Sequence, residues 1–127
     1  IQQARDYGCE REVFGRPIAR NQGIQFPIAQ AYSAMRSAEL MLNEAFRMYE
    51  AGQNPGEEAN LAKLQSADAS WQAAEACIQT FGGFGFATEY NIERKYREAR
   101  LYQVAPISTN LILSYIAEHV LKMPRSY

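Results

Sequence analysis

The feature that most constrains the fold is a long apolar stripe in the first half of the chain. Its residues recur at alternating intervals of three and four positions, at Ile28, Ala31, Met35, Ala38, Leu42, Ala45 and Tyr49. This spacing places them on one face of an α-helix, whereas a half-buried strand would alternate every second residue. The stripe therefore predicts a long amphipathic helix that ends at Gly52.

A second long helix is predicted after the segment "QNPGEE". Asn54 can cap it, Pro55 suits its first position, and the two glutamates that follow favour the positive end of the helix dipole. Its many alanines would let another helix approach closely. Its apolar residues again lie three and four positions apart, at Leu64, Ala67, Trp71, Ala74, Ile78 and Phe81.

Two shorter helical segments complete the pattern, and strand signals are nearly absent. Residues 1 to about 13 form a helical piece that begins without a cap, and Ser108 or Thr109 would cap a helix near the end of the chain. Short connections favour antiparallel neighbours. We therefore predict an all-α fold: an antiparallel up-down four-helix bundle with a truncated first helix. Residues 1–127 are read as one such domain, a fragment of a longer chain.

Composition argues against several classes of function. The chain has 127 residues, is 47% hydrophobic and carries a formal net charge of −1, so it has no long-range field for holding nucleic acid or an anionic membrane. Its longest apolar runs fall short of the roughly 20 residues that a membrane span needs. Cys9 and Cys77 lack metal-ligand spacing and predict free thiols in a reducing cytoplasm. We expect no metal site.

Three connections are richer in special residues than a plain bundle needs: "REVFGRPIARNQGIQF", "IQTFGGFGFATEYNIERKYREAR" and "LYQVAPISTNLIL". Taken singly, each has a structural explanation. The double glycine at 82–83 indicates a helix C-cap, and the alternating charges at 93–100 indicate a solvated, self-pairing face. Arg11 alone would be a surface cation in an ion pair. His119, the only histidine, is better explained by dipole stabilisation or exposure near a helix end than by catalysis.

Taken together and in order, these segments resemble the C-terminal helical domain of the acyl-CoA dehydrogenases. The resemblance rests on "RxxFG…Q…F", then "QxxGGxGF…EY…ER…R(D/E)AR", then the closing "IAEHVLKMPRSY", and it covers nearly the whole chain. It implies an FAD-dependent enzyme with additional helical and β domains that assembles as a homotetramer built from two dimers. It also implies an acyl-CoA substrate and, as electron acceptor, electron-transfer flavoprotein or a similar protein. The isolated fragment is expected to be inactive.

The resemblance assigns cofactor contacts to two of the connections. The family's residues that reach the FAD of a neighbouring subunit correspond in this chain to Arg11, Phe14 and Gln22. An arginine can pair with the pyrophosphate, a phenylalanine can pack against the adenosine half, and a glutamine can hydrogen-bond. Contacts with the same cofactor are implied for Gln79, Gly82 and Gly83.

The third connection matches the family's active-site turn, which reads Y-Q-I-Y-E-G-T-x-Q-I and whose Glu removes the acyl α-proton. Aligning residues 102–104 without a gap places Pro106 on that Glu and Ile107 on the Gly, so both are implied in the substrate pocket. Proline cannot accept a proton, and the nearest acids lie eight and twelve residues away. The positions that touch the flavin of the same subunit fall on Ser108, Thr109 and Asn110.

Two explanations of the missing carboxylate stay open. The base can lie on the preceding long helix, upstream of Ile1, as in the isovaleryl type of the family. Alternatively, the protein is a divergent homologue without this chemistry. A third possibility, from a different class, is a non-catalytic helical oligomerisation module, for which the polar residues of the three connections would have no use.

Overall fold

The computed structural model describes residues 1–126, which form five α-helices and one very short hairpin. The all-α prediction is confirmed. The β-strands Glu12–Val13 (β1) and Arg16–Pro17 (β2) pair antiparallel, with Glu12 opposite Pro17. Short 3-10 turns cover Ile18–Arg20, Gly82–Phe86 and Thr88–Tyr90, and a π-helical turn covers Ile116–Val120. The helices are α1 (Gln2–Glu10), α2 (Gln22–Glu50), α3 (Gly56–Phe81), α4 (Ile92–Leu101) and α5 (Thr109–Tyr115).

The long helices α2 and α3 form an antiparallel pair that is packed through alanines. On α2 the buried residues are Ala31, Ala38 and Ala45, which lie seven positions apart and therefore on one side of the helix. Small side chains at a helix contact let the two backbones come close. The buried small residues of α3 lie on more than one side of that helix, as expected for a helix that contacts four others, and they are Ala62, Ala67, Ala69, Ala74, Ala76 and Cys77.

The predicted apolar stripe of α2 is therefore only half buried. Its alanines face the bundle, but Met35 and Leu42 are each 41% exposed and Tyr49 is 72% exposed. The helix begins at Gln22, six residues before the first residue of the stripe, and carries Pro27 within its second turn. The sequence pattern cannot separate these positions, because buried alanines and half-exposed large residues recur with the same helical spacing.

Helix α3 is the centre of the domain, because α1, α2, α4 and α5 all contact it. At its C-terminal end, Phe81 packs in a core cluster with Ala4, Cys77 and Ile92. The ring of Tyr7 stacks on Phe81 with 4.2 Å between ring centroids. This aromatic contact fixes the short α1 against the end of α3.

Helix α4 is an additional helix that the bundle prediction did not include. Ile92 and Ala99 are buried seven positions apart, and the ring of Tyr96 lies 4.7 Å from that of Trp71 on α3. Burial, followed by interactions with Glu75, raises the pKa of Tyr96. The remaining surface of α4 is charged and pairs with itself, as in Lys95–Glu98. The predicted solvated face is confirmed. The helix also has two buried positions, which pack it against the domain and which are difficult to recognise among its many charged residues.

The predicted helix ends are mostly confirmed. Ser108 caps α5, and its Oγ accepts a hydrogen bond from the backbone N–H of Leu111 at 3.3 Å. Helix α3 begins one residue later than predicted: Pro55 is its N-cap and Gly56 its first residue, while Asn54 Oδ1 accepts from the N–H of Gly56 at 3.0 Å from the position before the cap. The chain leaves α2 through Gly52 and α3 through Gly82, both with positive φ. The first helical segment is shorter than predicted: it ends at Glu10, and residues 12–13 belong to β1.

Gly85 lies so close to the backbone of α3 that its replacement should damage the fold. A Cβ there would lie 2.9 Å from the carbonyl oxygen of Ile78 and 3.3 Å from its Cα, so backbone would have to move. We expect Gly85→Ala to lower the free energy of unfolding by about 1–3 kcal/mol, measured by urea denaturation. Gly83→Ala is the matched control, since nothing lies within 4 Å of its added Cβ. Equal stabilities of the two variants would contradict the close approach.

Candidate functional site

A cleft at the C-terminal end of α3 brings together predicted site residues that are far apart in the sequence. It has a volume of about 480 Å³. Arg11, which follows α1, lies in it together with Gly82 and Gly83, which follow α3. Its other walls are Tyr7, Val13, Ile18, Thr80, Phe81 and Phe84. One side of the cleft is therefore aromatic, one is glycine backbone, and one carries a cation.

The main chain of Arg11 is fixed, while its side chain remains exposed. The residue is extended (φ −72°, ψ 114°), and its N–H donates to the carbonyl of Tyr7 at 2.7 Å. Its own carbonyl accepts from the N–H of Ile18 at 2.9 Å. Within residues 1–126 no carboxylate pairs with the guanidinium, so the surface ion pair considered from the sequence is not found. The cation is available to an anionic ligand.

Phe14 is presented at the tip of the β1–β2 hairpin. Both residues of the tip have positive φ, 54° for Phe14 and 75° for Gly15. A bulky residue in this region of backbone space is uncommon and strained. The residue is 100% exposed, so no contact within this domain compensates for the strain. Strained residues of this kind cluster at ligand-binding and switch regions, which makes Phe14 a candidate site residue.

The two predicted glutamines lie near the cleft's elements but do not line it. Gln22 is the first residue of α2, and Gln79 lies in the last turn of α3; both are exposed. The start of α2 is well tied down, because Gln25 Nε2 donates to the carbonyl of Ala19 at 2.7 Å and Arg16 donates to Asn21 at 3.2 Å. The hairpin and Gln22 are thus held in a fixed relation.

The turn between α4 and α5 is separate from this cleft. It contacts α3 at Lys63 and Asp68, and Asp68 lies 13 residues before Phe81, the end of α3. At 1.5 Å per residue, the two regions are about 20 Å apart along the helix. The structure therefore does not bring residues 106–110 together with Arg11.

Within that turn the side chains are available for contacts outside the domain. Pro106, Ile107 and Asn110 are exposed, and Thr109 opens α5. Ser108 accepts a hydrogen bond as the cap of α5, which leaves its hydroxyl hydrogen free to donate.

Glu98 on α4, the acid that most closely precedes Pro106 in the sequence, is poorly suited to act as a base. Glu98 accepts a hydrogen bond from Lys95 at 2.9 Å, and this bond is the main reason that the pKa of Glu98 lies below its usual range. A carboxylate that is stabilised in its ionised form is a weaker proton acceptor.

A larger groove of about 1330 Å³ runs along the domain and was missed by sequence reasoning. Small residues such as Ala38 and Ala73 form part of its walls, and it extends from the start of α1 to Tyr102. Tyr32, Met35 and Leu42 line it, and the last two of these belong to the predicted apolar stripe of α2. The signal that could have shown it is the alternation of alanine with large residues in that stripe.

Other features of the described residues limit the chemistry. No helix among residues 1–126 is long and apolar enough to cross a membrane. Nor does this part of the chain hold a group of three or more His, Cys, Asp or Glu residues placed to bind a metal ion. Cys9 is exposed, Cys77 is buried, and both are free thiols, as predicted.

The described residues thus form a mostly helical domain with an exposed cation, a glycine-lined cleft and an exposed aromatic ring at the tip of a hairpin. The family model of the acyl-CoA dehydrogenase C-terminal domain matches residues 1–121. The chain belongs to the acyl-CoA dehydrogenase family and corresponds to its C-terminal helical domain.

Individual relatives agree with this assignment. The acyl-CoA dehydrogenase FadE12 of Mycobacterium tuberculosis is 38% identical over 98% of the chain. The butyryl-CoA dehydrogenase structure from Megasphaera elsdenii matches 94% of the chain and 31% of its own with a TM-score of 0.90 and 25% identity. A glutaryl-coenzyme A dehydrogenase bound to glutaryl-CoA matches 98% of the chain and 32% of its own with a TM-score of 0.88 and 27% identity. The chain spans about a third of the curated relatives it matches, 33% in the case of FadE12.

The strained tip of the hairpin gives a test of whether Phe14 is retained for folding or for another purpose. Asparagine tolerates positive φ better than phenylalanine, so Phe14→Asn should raise the free energy of unfolding by about 0.5–1 kcal/mol. The β-branched Phe14→Val should lower it by a similar amount. Both values come from urea denaturation. If Phe14→Asn proves clearly destabilised, the ring contributes to folding and is not simply displayed.

Proposed function

We propose that this chain is the C-terminal domain of an FAD-dependent acyl-CoA dehydrogenase. In the full-length protein it contributes flavin contacts, part of the acyl pocket wall and an oligomer interface for the α,β-dehydrogenation of an acyl-CoA thioester. The observation that carries the proposal is the family match over residues 1–121. FAD supplies the acceptor for the β-hydride, and the protein supplies binding, orientation and a base.

The cleft beside α3 suits the pyrophosphate and adenosine part of FAD. Arg11 offers an unpaired guanidinium, which matches phosphate oxygens in a fork geometry. Gly82 and Gly83 let the backbone approach a bulky ligand, and nothing lies within 4 Å of a Cβ built on either residue. Phe14 adds a free aromatic face. Gln22 and Gln79, exposed on the adjoining helix ends, are the proposed hydrogen-bonding partners.

The second proposed contact with flavin lies in the turn before α5. Here Ser108, Thr109 and Asn110 would hold the flavin of the same subunit. Following the family resemblance, the proposal assigns these two contacts to two different cofactors, one of them bound by a neighbouring subunit. The proposal therefore includes a homo-oligomer, a dimer or a homotetramer. Large exposed side chains on α2, among them Phe46 and Tyr49, offer apolar surface for such contacts.

Pro106 and Ile107 are the proposed lining of the acyl pocket, and the base is proposed to lie upstream of Ile1. The chemistry needs only a carboxylate near the α-carbon, whichever helix carries it. The large groove supports this relocation, because it runs from the start of α1 to Tyr102, next to the turn. A helix that continued α1 backwards along the groove would bring its side chains towards Pro106. The electron acceptor is proposed to be electron-transfer flavoprotein or a similar protein in the cytoplasm.

The cofactor contacts can be tested by replacing the proposed polar ligands together. In the full-length protein, Arg11→Ala combined with Gln22→Ala and Gln79→Ala should weaken FAD binding at least about 100-fold, since each lost contact to a charged group is worth about 1.5–3 kcal/mol. The measurement is the visible absorbance of bound flavin during titration.

A matched control replaces the same residue types at exposed sites away from the cleft: Arg47→Ala, Gln53→Ala and Gln72→Ala. This control should bind FAD normally. Absence of flavin from the unmodified full-length protein would reject the dehydrogenase assignment. Equal flavin content in both triple variants would favour the rival reading, a helical assembly module that binds no cofactor here.

The position of the base gives a separate test. The full-length sequence should carry a Glu or Asp within about three helical turns before Ile1, each turn being 3.6 residues. Changing that acid to Gln should abolish turnover of acyl-CoA with an artificial electron acceptor but leave flavin binding intact, because the carboxylate acts on the substrate proton. If no such acid exists, the divergent-homologue explanation takes over.

A further inference from the structure

The turn between α4 and α5 is held against α3 by two hydrogen bonds that span long stretches of sequence. Lys63 Nζ donates to the carbonyl of Tyr102, and Gln103 Nε2 donates to Asp68 Oδ1 at 3.2 Å. The bonded residues are 39 and 35 positions apart. Most other side-chain hydrogen bonds of the described residues join positions no more than six apart. Two long-range side-chain hydrogen bonds thus meet at this turn.

Apolar packing does little to fix the turn within the domain. Leu101, Val104 and Ile107 are 56%, 58% and 49% exposed. A segment with few buried apolar contacts opens easily unless other interactions hold it. The two hydrogen bonds from α3 therefore carry much of the restraint on this segment.

Gln103 connects these contacts to α5 through its own hydrogen bonds. Its side chain donates to Asp68, while its carbonyl accepts from the N–H of Thr109 at 3.1 Å. Ser108, the residue between them in the turn, caps α5 by accepting from Leu111. A continuous series of hydrogen bonds thus runs from Asp68 through Gln103 to the first residue of α5.

We propose that Lys63 and Asp68 are positioning residues, which set the turn 104–110 at the distance from α3 that the reaction requires. This inference rests on the proposed function, in which residues 106–107 line the acyl pocket and 108–110 contact flavin. Both residues act through the peptide segment Tyr102–Gln103 and not on the substrate or cofactor. A misplacement of about 1 Å in such a segment can cost on the order of 100-fold in rate.

The test uses Asp68→Ala and Asp68→Asn in the full-length protein. Asparagine keeps a side-chain oxygen that can accept from Gln103, whereas alanine removes it. Gln72→Ala, at an exposed position on the same helix, is the control for the substitution itself. The readouts are amide hydrogen exchange at Thr109 and steady-state turnover of acyl-CoA with an artificial electron acceptor. Flavin content and thermal midpoint are recorded for each variant.

We expect Asp68→Ala to speed exchange at Thr109 and to lower kcat about 10-fold or more, with flavin content unchanged and KM changed less than kcat. Asp68→Asn should restore most of the protection from exchange at Thr109 and most of the lost kcat. Lys63→Met should act in the same direction, and Lys63→Arg, which keeps a donor, should recover part of the loss.

Three results would overturn the inference. Unchanged exchange at Thr109 in Asp68→Ala would show that the turn is not held by this bond. Faster exchange with unchanged kcat in an active enzyme would show that the bond has no role in positioning. Failure of Asp68→Asn to rescue, with a lowered thermal midpoint, would assign Asp68 to general stability. If the unmodified protein lacks flavin and activity, the proposed function itself fails, and the positioning role falls with it.

Discussion

The close packing of α2 on α3 through alanine side chains is the constraint on which the rest of the domain depends. Ala31 and Ala38 on α2 are only 1% and 3% exposed, and small residues of this kind let two helix backbones approach closely. Large apolar residues cannot occupy such a contact. They are displaced to the flanks of α2, where Leu40 and Phe46 are 64% and 58% exposed. The same choice of residues that holds the helix pair together leaves apolar surface available to other domains or subunits.

The sequence was sufficient for the helical class and for most helix ends, because these depend on local patterns. Ser108 caps the helix that its position predicts, since a short polar side chain can satisfy an N–H three residues ahead. Burial was harder to predict. Ala31 and Met35 share the same periodic stripe, yet one is 1% and the other 41% exposed, and only the distance to α3 separates them. Helix α4 was missed for the related reason that its buried positions are few among many charges.

The candidate site shows the same division between local and long-range information. Gly82 as a helix end was predictable from the sequence, because positive φ at such a position favours glycine. Its meeting with Arg11 in one cleft depends on the stacking of Tyr7 on Phe81, two residues 74 positions apart. The spacing of apolar residues along the sequence gives no information about a contact between such distant positions. The family resemblance supplied the pairing, and the structure places Gly82 and Arg11 in one cleft while leaving Gln22 and Gln79 outside it.

The two candidate regions differ in how they are fixed, and this follows from their surroundings. The Arg11 cleft is built on aromatic packing: the rings of Phe81 and Tyr90 lie 5.3 Å apart, so its shape is set by the domain alone. The turn at 104–110 has no such packing and relies on hydrogen bonds from α3. Hydrogen bonds fix direction well but contribute only about 0.5–1.5 kcal/mol each. A turn held in this way keeps its orientation in the free domain and can still adjust when a ligand or a neighbouring domain covers its exposed apolar side chains.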